Sequence, residues 1–73
     1  MNKQTYEIFA RIHRGDDLMQ IGTVEAQSDD LAIAYAAYIY NEEEWTDMIA
    51  VRRDHILKVR QAEPLFSKER MSV

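Results

Sequence analysis

The chain has 73 residues, 47% of them apolar and 30% charged, with a net charge of −4 and no cysteine. That length allows one small domain, which buries only about 60% of the surface its unfolded chain exposes. The missing cysteines exclude disulfides, thiolate zinc sites and cysteine nucleophiles, and the acid excess argues against general phosphate-backbone binding.

The opening run, MNKQTYEIFARIHR, has Glu7 and Arg11 where a secretory leader needs an apolar core. No uncharged run approaches the ~20 residues that span a bilayer. The expectation is a soluble cytoplasmic chain that contacts neither nucleic acid nor membrane.

Thr5 to Ile12, TYEIFARI, alternates Tyr6, Ile8, Ala10 and Ile12 against Glu7, Phe9 and Arg11. A two-residue period is that of a half-buried strand. HRGDD supplies turn chemistry at Gly15, Asp16 and Asp17. Leu18 to Ala26, LMQIGTVEA, alternates again, with Met19, Ile21 and Thr23 set against Gln20, Gly22 and Val24. Two such runs around a short loop predict an antiparallel hairpin. Gly22 inside the second run signals a bulge or a close neighbour.

Ser28 is placed to cap a helix, and Asp29 and Asp30 suit the positive end of its dipole. The helix is expected from Asp29 to Glu43 or Glu44. Asp47 to Arg53 reads as a third strand, with a short turn from Asp54 around HIL. The order is β-β-α-β. Strands joined through a helix run parallel, so the first strand belongs between the other two. The fold class is α+β: a small sandwich with a three-stranded antiparallel or mixed sheet in order 2-1-3 and one helix on one face. Residues 1–60 form the domain, and residues 61–73 form a flexible or docking tail.

At 100° per residue, Ala32, Ile33, Ala36, Ile39 and Tyr40 share one helix side, which is assigned to the core. Leu31, Ala34, Tyr35 and Tyr38 share the other. Leu31 and the two tyrosines would expose roughly 300–500 Å² there, the size of the largest patch on a typical monomer. One reading is a partner contact; the other is tyrosines whose hydroxyls are simply solvated.

No Glu-x-x-His spacing for a helical metal site occurs, and no glycine-rich phosphate loop or nucleophile elbow. A site made by His13 and His55 with Asp16 or Asp17 is weighed against solvated loop histidines. Glu42, Glu43 and Glu44 read either as a solvated run or as an acidic patch for a basic partner. Arg11, Arg14, Arg52 and Arg53 are expected to gather at strand ends. With Tyr6 or Phe9 they would make a base-stacking platform, although paired arginines more often hold carboxylates across an interface. No catalytic residue, cofactor site or metal site is assigned.

The ordered pieces YEIFAR, IGTVEA, SDDLAI with Ala36 and Tyr40, and IAVRR leading to Ile56 resemble the phenylacetic acid degradation protein B family. The likeness covers about Tyr6 to Ile56. This family is the small B subunit of the bacterial phenylacetyl-CoA epoxidase, a multicomponent monooxygenase. The resemblance implies a structural bridge without catalytic residues. Its partners would be the larger diiron oxygenase subunits and the flavin and iron–sulfur reductase that supplies electrons. It further implies a role in aerobic phenylacetate degradation.

Taken with that likeness, the expected interface comprises Leu31, Ala34, Tyr35 and Tyr38 of the helix, Arg52 and Arg53, and Leu65 and Phe66 of the tail. A homodimer is expected for the isolated chain. The alternative is a stand-alone oligomeric binding or regulatory module with a small ligand on the free sheet face.

Overall fold

The computed structural model describes residues 2–60. Strand β1 spans Gln4–Arg11, β2 Met19–Ala26, helix α1 Asp29–Ile39 and β3 Asp47–Arg52, and a single 3-10 turn follows at Arg53–His55. The sheet has the expected order, β2-β1-β3. Both outer strands pair antiparallel with β1, so every ladder is antiparallel. Leu65 and Phe66, with the rest of the tail, lie outside the described residues.

The period-two pattern of β1 decides the sheet's two faces. Tyr6, Ile8 and Ala10 are buried on the inner face, the first two in the core beneath α1, while Glu7, Phe9 and Arg11 are half-buried on the outer face. In β2 the alternation breaks. Ile8 pairs with Gly22 but Phe9 pairs with Gln20, which leaves Ile21 as the extra residue of a β-bulge. Beyond the bulge Val24 and Ala26 are buried, and Ile21 packs against the same core. The expected grouping of Ile21 with Thr23 against Val24 is therefore corrected, because an inserted residue reverses which side chains face inward.

Gly22 has both of its foretold reasons. It borders the bulge, and a Cβ built on it would overlap the Tyr40 hydroxyl. Gly15, at φ +122° in the hairpin loop, takes a backbone conformation that suits glycine.

Helix α1 begins as expected: the Leu31 amide donates to Ser28 Oγ at 3.2 Å, satisfying one of the open donors of the first turn. It ends at Ile39 rather than at Glu43 or Glu44. Tyr40 leaves helical geometry while its amide still donates to Ala36 O. Its ring swings over Gly22, and its own carbonyl accepts the Trp45 indole N–H at 3.0 Å. Continuing the helix would also have placed three glutamates at the negative end of the dipole.

The helix meets the sheet through Ala32 and Ala36. Side chains this small bring its axis close to the strands, so the contact is a narrow seam. Ile33 and Ile39, assigned to the core by the helical wheel, are instead 60% and 53% exposed. Tyr40 packs half-buried against the core as expected.

Ile8 is completely buried at the centre of the sheet. Ile8→Ala should destabilise the fold by about 2–5 kcal/mol and Ile8→Val by about 0.5–1.5 kcal/mol. Urea denaturation followed by circular dichroism measures both values, and the alanine variant is expected to be substantially unfolded in water.

Candidate functional site

The expected interface residues of α1 stand in solvent together. Leu31 is 39% exposed, Tyr35 41% and Tyr38 82%, with Ala34 exposed beside them. Ile33 and Ile39 extend this surface around the helix, so its outward side is apolar over most of its circumference. Between α1 and β3 an apolar groove of about 130 Å³ runs past Ile33, Ala36, Ala37, Met48 and Ala50. The helix carries no basic residue in its last turn, and Glu42, Glu43 and Glu44 follow it, all exposed. The result is a greasy ridge with an acidic end.

Arg52 and Arg53 do not form the basic cluster expected with Arg11 and Arg14. Because β3 runs antiparallel to β1, Arg52 lies opposite Tyr6 whereas Arg11 lies opposite Asp47, at the other end of the sheet. Arg11 Nε donates to Asp47 Oδ2 at 2.6 Å, Arg52 Nε to Asp29 Oδ1 at 3.2 Å, and Arg53 Nε to Glu7 Oε2 at 2.8 Å. Three arginines are thus neutralised within the chain, and the base-stacking platform is not assembled. The same geometry separates the histidines. His13 turns back on Asp16, its Nδ1 3.3 Å from Oδ2, while His55 follows β3 with Asp54 3.9 Å away. The conceived site of His13, His55 and Asp16 or Asp17 is not formed. Among the described residues no group of three metal-ligating side chains converges.

One polar constellation escaped the sequence reading. The Tyr6 hydroxyl, from an almost fully buried side chain, donates to Asp29 Oδ1 at 2.6 Å, and Arg52 donates to the same oxygen. This ties the centre of the sheet, the start of the helix and the end of β3 to one carboxylate. The hydrogen bonds from Tyr6 and Arg52 hold Asp29 below its ordinary 3.8. The bond to Asp29, followed by burial, holds the Tyr6 phenol above its ordinary 10.0. His55, Ile33, Ala50 and Val51 complete an open cleft of about 330 Å³ around the three. The available signal was the inward register of Tyr6 combined with an acid directly after the helix cap.

The outer sheet face is polar at its centre and apolar beside it. Glu7 accepts Gln20 Nε2 at 2.5 Å as well as Arg53. Phe9, paired with Ile49, lies next to it. No helix among the described residues is long and apolar enough to cross a membrane. No family model, no curated protein and no solved structure matches the chain.

The Asp29 knot has a pH signature. A carboxylate whose folded pKa lies below its unfolded value stabilises the fold above the unfolded value, and that contribution fades as pH falls through the folded one. Asp29→Asn should therefore lower the melting temperature near pH 7. The gap to the parent should narrow as pH falls below the ordinary carboxylate value of 3.8. Thermal melts of both proteins across that range provide the check, and a gap that is constant down to acid would disprove the assignment. For Tyr6 the sign is opposite: its contribution is present below about pH 10 and is lost as pH rises beyond.

Proposed function

We propose that the chain is a noncatalytic bridging subunit of a multicomponent diiron aryl-CoA ring epoxidase, acting on phenylacetyl-CoA in aerobic phenylacetate degradation. In this reading it works in the cytoplasm, holds larger oxygenase subunits together and helps them meet their reductase. Isolated, it pairs with itself.

The observation that carries the reading is the outward side of α1. Leu31, Tyr35 and Tyr38 are exposed in a row, and tyrosine is enriched at the energetic centres of interfaces because it adds large contact area and a polar tip. An apolar surface of this extent on so small a domain is the kind that partners cover. The segments that resemble the B-subunit family fall on the framework: YEIFAR within β1, IGTVEA at the end of β2, SDDLAI at the cap and first turn of α1, and IAVRR in β3 and the residue after it. The likeness is therefore mainly one of scaffold, and it includes Leu31 and Ile33 of the exposed ridge.

The test is copurification. The tagged chain, coexpressed with the two large oxygenase subunits of a bacterial phenylacetyl-CoA epoxidase, should retain both through size-exclusion chromatography. Tyr35→Asp combined with Tyr38→Asp should keep the circular dichroism spectrum and reduce retention by at least about tenfold, since charges placed in an interface core leave desolvated, unpaired groups. Absence of retention by the parent, or equal retention by parent and double variant, would overturn the reading. Light scattering on the isolated chain should give twice the monomer mass.

A further inference from the structure

Because α1 stops at Ile39, it does not cover the far end of the sheet's inner face. There a second cleft, of about 550 Å³, opens between the hairpin and the segment leading into β3. Ala10, Ile12, Met19, Ile21 and Trp45 give it apolar walls, and His13, Asp16, Asp17 and Arg11 stand around them. Its volume falls within the ~300–1,000 Å³ of clefts that hold whole small ligands, and the lining has their usual composition, mostly apolar with a few polar groups.

The walls are fixed by specific bonds. The indole N–H of Trp45 is held on Tyr40 O. Thr46 is tied to the end of β1 by its amide to Arg11 O at 2.9 Å and by its hydroxyl to Ile12 O. The bulge at Ile21 re-aims that side chain into the same space, a use to which bulges beside binding sites are put.

Around the cleft two carboxylates, Asp16 and Asp17, stand against one guanidinium, Arg11. Arg11 Nε is engaged by Asp47, and Arg11 Nη1 donates to Asp16 O at 3.1 Å. Asp16 Oδ2 accepts the His13 amide at 3.2 Å and faces its ring nitrogen. Asp17 makes no hydrogen bond or ion pair among the described residues. A carboxylate without a partner among the described residues, lining the same cleft as an aromatic ring whose only N–H is already taken, suits a cation. The ring face attracts positive charge, and the carboxylate pairs with it.

We propose that this cleft binds a small organic cation: an apolar, preferably aromatic, body carrying a primary ammonium group. The body lies against Trp45, Ile21 and Met19, and the ammonium reaches Asp17, with Asp16 adding field. The assignment is independent of the bridging role, since the cleft lies at the end of the sheet and not on the outward side of α1.

Trp45 is the sole tryptophan, so its fluorescence reports the cleft directly. Titration of the full chain with 2-phenylethylammonium should shift its emission saturably. The isosteric anion 3-phenylpropanoate should give no saturable shift, and Asp17→Asn should weaken the cation's binding about tenfold, the loss expected for one charge-assisted contact. Asp17 is exposed in the hairpin loop, and the variant's fold is checked by circular dichroism. A second readout, the indole N–H resonance of Trp45, separates cleft binding from quenching elsewhere. No saturable response to the cation, equal response to the anion, an unchanged affinity in Asp17→Asn, or a shift that depends on protein concentration alone would each overturn the proposal. The last result would mean that a second copy fills the cleft.

Discussion

The fold depends on a contact two alanines wide. Ala32 and Ala36 lay α1 on Ile8 and Val24, and no larger helical side chain is fully buried. The buried apolar residues among those described are Tyr6, Ile8, Ala10, Val24, Ala26, Ala32 and Ala36, four of them alanine. Burial stabilises in proportion to apolar area, at about 25 cal/mol per Å², and alanine contributes little of it. Meanwhile Ile12, Leu18, Met19, Leu31, Ile33, Tyr35, Tyr38, Ile39 and Ile49 remain substantially exposed. Tight approach of helix to sheet and an oily exterior are the same fact seen from two sides. A broader seam would have drawn Ile33 and Ile39 inward and left less for a partner.

Polar bonds hold what that thin seam cannot. Asp29 joins Tyr6 and Arg52, so the start of α1 and the end of β3 are both anchored to the central strand. At the opposite end the Trp45 indole and Thr46 close the connection from α1 to β3 onto Tyr40 and β1. Between these two clamps the helix has a fixed position with few buried side chains. Each clamp also borders one of the two larger clefts, so the groups that anchor the fold also shape its concave surfaces.

The scaffold was legible in local chemistry. Alternation in Tyr6–Ile8–Ala10, the turn residues around Gly15, the Ser28 cap and the β-branched third strand each act over a few residues, and the strand order followed from them. What escaped depends on sizes and distances that a period does not carry. A helical wheel places Ile33 and Ala36 on one side, but it cannot say that the seam is centred on the alanines. The end of the helix was set by Tyr40 fitting against Gly22, residues 18 positions apart in the sequence. The arginine cluster and the paired histidines failed for a simpler reason: antiparallel β3 sends Arg52, Arg53 and His55 away from Arg11 and His13. That consequence was already contained in the strand order. Leu31, Ala34, Tyr35 and Tyr38 stand exposed where the wheel put them, whereas the exposure of Ile33 and Ile39, the Asp29 knot and the Trp45 cleft depend on contacts across elements that no single stretch encodes.

The bulge at Ile21 also makes the two rims of the sheet unequal. β2 is kinked where its register slips, while β3 presents six residues in regular pairing with β1 and, among the described residues, no strand on its other side. A kinked rim is a poor template for further pairing, and a regular one is a good template. Strand addition is thereby directed to one flank. Joining two molecules flank to flank leaves only kinked rims facing outward, so such growth halts after a single step instead of propagating into a fibril.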